Sequence, residues 1–106
     1  MNGKFALVYM TAKDMEEAEK LREMLLQKRL VACVNITPTD SKYLWKGKIE
    51  GQKEVALLCK TRMDLVKKIT SNVKEMHSYD SPCIIAMPIE EGSEDYLEWL
   101  GETLVK

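Results

Sequence analysis

Histidine and cysteine are scarce in this chain, and their spacing predicts neither a disulfide framework nor a zinc knuckle. The 106 residues contain one histidine and three cysteines, Cys33, Cys59 and Cys83, which show no C-x-x-C spacing. An odd number of widely separated cysteines is typical of free thiols in a reducing compartment. We therefore expect a cytoplasmic protein, because the cytosol is the simplest such compartment.

Excess charge, long apolar runs and catalytic motifs are missing as well. A formal net charge of -1 gives no basic field for nucleic acid or anionic lipid. The apolar run over residues 5–10 is shorter than a signal-peptide core and far shorter than a membrane span. The chain carries no N-terminal glycine-rich phosphate loop, no G-x-S-x-G and no H-E-x-x-H. We expect a protein that is not an enzyme and that binds neither nucleic acid nor membrane.

The apolar pattern predicts one α+β domain over residues 1–106, a length that can bury one hydrophobic core. Strand-forming segments alternate with apolar stripes of helical period, in the order β-α-β-β-α-β with an added C-terminal helix. The predicted strands cover residues 4–11, 30–37 with a continuation at 43–45, 54–61 and 83–89, and the predicted helices cover 14–29, 61–77 and a last segment from 93. This order predicts the ferredoxin-like fold, with both long helices on one face of an antiparallel sheet.

Polar residues mark the predicted helix starts. Asp14 is followed three residues later by Glu17, which is the spacing of a capping box. Thr61 and Asp64 repeat that spacing before the second helix. Ser93 is expected to cap the last helix.

A long β-hairpin is predicted over residues 30–61, with arms of about 12 to 15 residues against a usual strand of roughly 5 or 6. Pro38 is expected to bend or interrupt the first arm, since proline cannot donate to the ladder. The turn lies around Gly47 or around Gly51, and the sequence does not choose between them. Such a ribbon overhangs the helices and exposes apolar side chains, which favours self-association; the alternative is that these side chains fold back onto their own core. They are Tyr43, Leu44, Trp45 and Ile49.

Soft and borderline metal ligands are present but dispersed. Copper(I) favours thiolate and thioether, whereas copper(II) and zinc accept imidazole. The three cysteines, seven methionines and His77 show no spacing for a preformed tetrahedral site. A metal site has to be assembled in space or between subunits, and the alternative is that these cysteines and methionines fill the core. A cysteine nucleophile with His77 as its base is a further alternative that the sequence does not secure.

A polar and aromatic cluster is expected at the ends of the predicted elements, where binding residues are commonly placed on a rigid scaffold. Its members are Tyr43, Trp45, Glu54, Lys60, His77, Tyr79 and Asp80. Lys60 and Thr61 end a strand where a helix begins, so the free amides of that helix start can accept an anion. The alternative is interface packing, with these hydrogen bonds satisfied between neighbours.

The motifs that carry a family resemblance run from about Phe5 to Leu104. They are Met10-Thr11-Ala12 at the end of the first strand, Ala32-Cys33-Val34-Asn35-Ile36, Tyr43-x-Trp45-x-Gly47, Glu54 before Lys60-Thr61, His77-x-Tyr79-x-x-Pro82 and Tyr96-Leu97-x-Trp99-Leu100. As a set they resemble the CutA family of divalent-cation tolerance proteins. The resemblance implies a homotrimer of ferredoxin-like subunits, similar to the PII-type signalling proteins, with the long hairpins exchanged around a threefold axis.

The same resemblance implies binding of copper or another divalent cation, with Cys33 and His77 at the carried-over positions. Met10 stands where some bacterial members have a cysteine. If Met10 and Cys33 leave adjacent strands at neighbouring positions, their sulfurs form a soft pair for copper(I), with His77 as a separate imidazole site. We predict a homotrimeric, metal-responsive binding or signalling component. The alternative is a structural or signalling trimer that binds a small anionic ligand or a partner segment in the cleft between subunits, without a direct metal role.

Overall fold

Four antiparallel strands form one sheet, and three α-helices pack against it in the computed structural model, which describes residues 4–106. The strands are β1 (Phe5–Ala12), β2 (Cys33–Trp45), β3 (Lys48–Arg62) and β4 (Ile84–Ile89), and the helices are α1 (Met15–Gln27), α2 (Val66–Met76) and α3 (Glu94–Thr103). Their order across the sheet is β2-β3-β1-β4. This arrangement confirms the ferredoxin-like order with its added C-terminal helix.

The start of α1 follows the predicted capping pair. Asp14 is the N-cap, and its Oδ1 accepts the backbone N–H of Glu17 over 2.9 Å. The Glu17 carboxylate in turn accepts the N–H of Lys13 over 3.0 Å. One free amide group of the first helical turn and the amide group just before the cap are thereby satisfied.

The other two predicted caps are corrected by the structure. The Thr61 hydroxyl donates to the carbonyl oxygen of Leu30 over 2.6 Å instead of capping a helix. Asp64 lies in a 3₁₀ turn before α2 and accepts from Arg62. Ser93 occupies the N-cap position of α3, but its side chain makes no capping bond. Sequence spacing alone does not distinguish a cap from a hydroxyl that a buried carbonyl group has captured.

Alternate residues of each strand point to opposite sides of the sheet. Val8, Met10 and Ala12 of β1 are fully buried in one apolar cluster with Leu21 of α1 and Ile69 of α2. We call this side of the sheet the helix face. It carries the main hydrophobic core.

The opposite side, which we call the open face, is only partly covered. Tyr9 of β1 is half-buried there, and its β4 partner Ile85 is 54% exposed. α3 packs at the end that contains Phe5, whose ring lies 3.4 Å from the place a Cβ would take at Gly101. Apolar surface on the rest of the open face is left uncovered in the single chain.

The hairpin of β2 and β3 extends well beyond the rest of the sheet. Its strands have 13 and 15 residues, whereas the pairing of β1 with β3 ends at Ala12 and Val55. The part beyond that pairing, residues 39–54, is a two-stranded ribbon, which we call the overhang. The molecule measures 44 × 25 × 22 Å. Leu44, Trp45 and Ile49 are 77%, 59% and 74% exposed, so these side chains do not fold back onto the core of their own chain.

The structure resolves the two open questions about the hairpin. Lys46 and Gly47 both have positive φ, 50° and 78°, and they form the two-residue turn. Gly51 lies inside β3, opposite Lys42. The expectation that Pro38 interrupts the strand is wrong, because β2 runs through it and pairs it with Val55. β2 is an edge strand, and proline is tolerated there because one side of the strand has no ladder partner.

No helix within residues 4–106 combines the length and the apolar composition that crossing a membrane requires.

Candidate functional site

A hydrogen-bonded network, which we call the hairpin-root network, joins the base of the overhang to the loop after α2. The Tyr79 hydroxyl donates to Oε2 of Glu54 over 2.7 Å and accepts from Nε2 of Gln52 over 2.8 Å. The side chains of Ser41 and Thr11 lie near enough to the Glu54 carboxylate to help lower its pKa. The network therefore connects the end of β1, both arms of the hairpin and the loop after α2.

The residue Glu54 is only 8% exposed, and the partners of its carboxylate keep it ionised. Burial acts to raise its pKa, but the surrounding hydrogen bonds outweigh burial and hold the pKa of Glu54 below its ordinary value. Burial and the bond to Glu54 together raise the pKa of Tyr79. Tyr79 therefore stays protonated near neutral pH and serves as a donor to a buried anion.

His77 holds the loop after α2 against the end of β1. Its Nε2 lies 2.8 Å from the carbonyl oxygen of Thr11, and its Nδ1 accepts the N–H of Tyr79 over 3.0 Å. A carbonyl oxygen can only accept, so Nε2 carries the proton. The side chain is 0% exposed. In place of the expected imidazole metal site, the structure shows a loop anchor, since a metal at either nitrogen displaces one of these bonds.

Glu17 secures the same loop from α1. Its Oε2 accepts the N–H of Ser78 over 2.7 Å, and its Oε1 accepts the Ser78 hydroxyl over 3.1 Å. Burial acts to raise the pKa of Glu17, but bonds from Lys13 and Ser78 outweigh burial and lower it. The loop is thus fixed by one carboxylate at each end, Glu17 from the helix layer and Glu54 from the hairpin.

A second group of polar side chains surrounds Cys33 on the open face, and we call it the Cys33 cluster. Cys33 begins β2 directly opposite Lys60 of β3. The Lys60 ammonium lies 3.7 Å from the Cys33 sulfur and donates to Oδ1 of Asn35. Tyr96 of α3 is a neighbour of this cluster, and burial together with the nearby Cys33 raises the pKa of its hydroxyl. The half-buried thiol therefore has an ammonium group beside its sulfur.

The expected pair of Met10 and Cys33 does not form. β3 lies between their two strands, and Met10 is paired with Leu57 while Cys33 is paired with Lys60. Met10 is fully buried on the helix face, and Cys33 lies on the open face. The premise of adjacent strands is wrong because the crossover through α1 places β2 at the sheet edge.

The remaining thiols do not complete a metal site within the part of the chain that the structure describes. Cys59 is buried on the helix face, and burial raises its pKa to about 12. Cys83 is exposed after the His77 loop, where burial of its sulfur and the Glu54 carboxylate raise its pKa. His77 is bonded to Thr11 of β1, and Cys33 is level with Leu7 of that strand, four residues away. The separation along the strand direction is about 13 Å. Within residues 4–106, no three His, Cys, Asp or Glu side chains are grouped so as to hold a metal ion.

The structure divides the predicted polar and aromatic cluster among four places. Glu54 and Tyr79 meet in the hairpin-root network. Lys60 belongs to the Cys33 cluster. Tyr43 and Trp45 lie near the hairpin tip, and Asp80 is exposed in the loop after α2.

Sequence reasoning missed several partners in both groups. They are Thr11, Glu17, Ser41, Gln52, Asn35 and Tyr96. A turn fixed at Lys46 and Gly47 sets the register, and that register places Ser41 opposite Gln52. The glycine at position 47 was the sequence signal for this turn. A turn placed there would have predicted that Ser41 and Gln52 lie close to Glu54.

The model of the CutA1 family, described as divalent ion tolerance protein, matches residues 6–103. The divalent-cation tolerance protein CutA of Archaeoglobus fulgidus is 47% identical over 97 residues, which cover 92% of this chain and 95% of that protein. The protein of the same name from Pyrococcus horikoshii is 45% identical over 100 residues, which cover 94% of this chain and 98% of that protein.

Solved structures give the same result for the fold. The crystal structure of CutA1 from Oryza sativa has a TM-score of 0.95 at 38% identity, and the match covers 99% of this chain and 97% of that one. The structure of the periplasmic divalent cation tolerance protein CutA from Archaeoglobus fulgidus has a TM-score of 0.92 at 46% identity, and it covers 93% and 97%.

Proposed function

This chain belongs to the CutA1 family of divalent ion tolerance proteins, and on that premise we propose that it is a self-associating binding protein that captures copper at Cys33. The family description names tolerance of divalent ions and no catalysed reaction. The one histidine is committed to holding a loop, so it offers no base to any of the cysteines. We therefore assign the protein a binding role and no enzymatic one.

Self-association is supported by the overhang and the open face. The ribbon beyond the sheet leaves large apolar side chains in water, and soluble monomers rarely expose contiguous apolar surface of this kind. Tyr96 and Trp99 of α3 and Ile85 of β4 add apolar surface on the open face. We propose a homotrimer, which is the assembly that the family resemblance implies.

The mass in solution tests this assembly. Light scattering at micromolar concentration should give three times the 12.2 kDa of one chain. Trp45→Ala should weaken the trimer, because buried aromatic side chains dominate interfaces. Lys53→Ala is the matched control, since Lys53 lies on the same ribbon with its side chain 85% exposed. A monodisperse single chain contradicts the proposal.

The accessibility of Cys33 is the observation that carries the copper proposal. Thiolate sulfur is a preferred ligand of copper(I). Cys59 is enclosed by the core, and the Cys83 thiol lies near a carboxylate that opposes its ionisation, whereas Cys33 is half-buried on the open face. One chain supplies a single thiol there, so we propose that neighbouring copies contribute the other donors.

Copper(I) titration against a competing chelator tests this site. We expect Cys33→Ser to lose binding while the oligomeric mass stays unchanged, and we expect the matched control Cys83→Ser to bind as the wild type does. His77→Ala should also bind copper, because its ring is engaged within the fold. Equal binding by Cys33→Ser and wild type contradicts the metal assignment.

The Lys60 ammonium supports a second candidate function, the binding of a small anionic ligand between subunits. Lys60 is half-buried on the open face, where it repels a bound cation and attracts an anion. Thermal-shift measurements with inorganic phosphate, citrate and copper separate the two candidates, because a ligand that binds the native state raises its apparent stability. Stabilisation by anions but not by copper, lost in Lys60→Gln, favours this second function.

We also propose a cytoplasmic location, on the ground that all three cysteines are free thiols. The Archaeoglobus structure is of a protein called periplasmic, so fractionation of the native host is the direct test. Recovery outside the cytoplasm contradicts the location without affecting the copper proposal.

A further inference from the structure

The end of the overhang, residues 42–49, is both apolar and cationic, and we call it the overhang tip. It contains three lysines and no acidic residue. Leu44, Trp45 and Ile49 expose most of their side chains there, and the Lys46 ammonium lies 5.8 Å from the centroid of the Trp45 ring. Within residues 4–106, no ion pair joins any of the three lysines to a carboxylate. The tip therefore fits a surface that combines apolar contacts with negative charge.

A groove of about 830 Å³ lies beside α3, and we call it the α3 groove. Phe5, Leu97 and Gly101 line it, and Phe5 is only 7% exposed, so the depth of the groove is apolar. Five carboxylate side chains also line the groove, and all five residues are exposed, so its rim is acidic. They are Glu90, Glu91, Glu94, Glu98 and Glu102.

The acidic rim is unfavourable for a chain on its own. Glu94, Glu98 and Glu102 follow one another at i, i+4 spacing along α3, and like charges at this spacing destabilise a helix. Glu102 also lies in the last helical turn, where the helix dipole favours cations. A cationic partner in the groove removes both penalties.

The basic side chains that line the groove do not neutralise it. Arg62 is engaged within its own chain, because its Nε lies 2.9 Å from Oδ1 of Asp64 and its Nη1 donates to the Val105 carbonyl over 2.9 Å. Lys4 and Lys106 remain, and within the described residues neither forms an ion pair with a carboxylate. The groove therefore keeps an excess of negative charge.

The overhang tip and the α3 groove lie at opposite ends of one chain. Lys48 of the tip and Arg62 of the groove are the first and last residues of β3, a strand of 15 residues. Such a strand spans about 45 Å, and the whole molecule is 44 Å long. A chain therefore cannot place its tip in its own groove. Two different surfaces that fit each other make a head-to-tail contact, which closes into a ring when the rotation between copies allows it.

We propose that the overhang tip of one copy docks in the α3 groove of the next copy, with the tip lysines facing the glutamates and the tip apolar side chains covering Phe5 and Leu97. The inference rests on the proposed homotrimer and adds the receiving surface and the direction of the contact. Each copy gives one tip and receives one, so three contacts of one kind complete a ring of three.

Zero-length crosslinking tests this contact directly. A water-soluble carbodiimide joins a lysine to a carboxylate only where the two groups touch, and peptide mass mapping identifies the joined residues. We expect products that link Lys46 or Lys48 to the glutamates of α3. These groups are separated by most of the length of one chain, so such a product forms only between two copies. Lys53 and Asp40, 3.0 Å apart on one ribbon, are the internal control for the reaction.

Charge reversal tests the same contact by its effect on assembly. Lys48→Glu and Glu98→Lys should each raise the protein concentration at which half of the assembly dissociates by about tenfold, because each places like charges in contact. The combined variant restores opposite charges and should recover most of this loss. Lys67→Glu is the matched control, since it makes the same change on an exposed position of α2 and should leave dissociation unchanged. Melting curves of each variant verify the fold.

The outcomes separate the docking contact from the homotrimer on which it rests. A trimer without tip-to-groove products, or with unchanged dissociation in both single variants, overturns the docking proposal and leaves the homotrimer standing. Weakening in both single variants without recovery in the combined variant also overturns it, because the two residues then act separately. A wild-type protein that is a single chain by light scattering contradicts both proposals.

Discussion

Replacing His77 separates a structural role for this residue from a role in metal binding. His77→Ala removes the bond to the Thr11 carbonyl and the acceptor for the Tyr79 amide. Each such bond contributes about 0.5–1.5 kcal/mol, and a buried group left unpaired costs about 1–3 kcal/mol. The ring is 0% exposed, so a cavity adds to these losses. We expect the free energy of unfolding to fall by about 2–4 kcal/mol.

Two amide variants divide this loss between the two ring nitrogens. The amide group of His77→Gln can reach the position of Nε2 and donate to the Thr11 carbonyl, whereas the oxygen of His77→Asn can take the place of Nδ1 and accept from Tyr79. Each should recover part of the loss, about 1 kcal/mol relative to alanine. Urea unfolding at one fixed protein concentration measures these differences, since assembly adds a dependence on concentration. Wild-type stability in His77→Ala, or loss of copper binding without loss of stability, refutes the loop-anchor role.

Three further predictions concern residues that the structure explains outside the copper proposal. Thr61→Val should lower the free energy of unfolding by about 1–3 kcal/mol, because it strands the buried Leu30 carbonyl; Thr70→Val, whose hydroxyl bonds a carbonyl within its own helix, should cost about 0.5 kcal/mol or less, and equal costs contradict this reasoning. Folding lowers the pKa of Glu17 and Glu54, so both carboxylates stabilise the fold above the ordinary pKa of about 4.3, and this contribution is lost as pH falls through their folded pKa values. Urea unfolding from pH 7 to 3 should show a steep fall in the free energy of unfolding at the acid end, and the fall should be shallower in Glu54→Gln. Parallel curves for the two proteins refute this prediction. Gly47→Ala should cost about 1 kcal/mol through backbone strain alone, because φ is 78° and nothing lies within 4 Å of an added Cβ; unchanged urea unfolding means that the turn has relaxed.

Local patterns in the sequence were sufficient for most of the fold. The helical stripe that ends in Leu25 carries its own period, and β1 is a short run of strand-forming residues, so the element order was predicted from local sequence. The Asp14 cap was predicted because a capping residue acts within one turn. Thr61 was assigned wrongly because its partner, Leu30, is distant in sequence and adjacent only after the sheet forms.

The candidate site was harder to predict because it depends on strand order. Met10 and Cys33 are both soft ligands, and only the placement of β3 between their strands separates them. The sequence identified Glu54 and Tyr79 as polar residues at element ends, but their contact requires the loop geometry that His77 imposes. Lys60 was expected at a helix start, whereas the register places it beside Cys33. Each of these placements depends on how segments that are distant in sequence pair in the sheet, and local sequence patterns do not specify that pairing.

The two-residue turn at the hairpin tip also has a consequence for the order of folding. β2 and β3 are joined by the two-residue turn at Lys46 and Gly47, so their pairing can start from residues that are close in sequence. Isolated hairpins form on a timescale of microseconds. β1 also pairs with β4, and the pairing of Phe5 with Ile89 joins residues that are separated by most of the chain. Forming this pair therefore costs more loop-closure entropy than forming the hairpin. During synthesis the hairpin is complete long before β4, the second partner of β1, has been made. Of the two central strands, β1 is therefore the last to acquire both neighbours. Substitutions in the turn should change the folding rate, while substitutions in β4 should change mainly the unfolding rate.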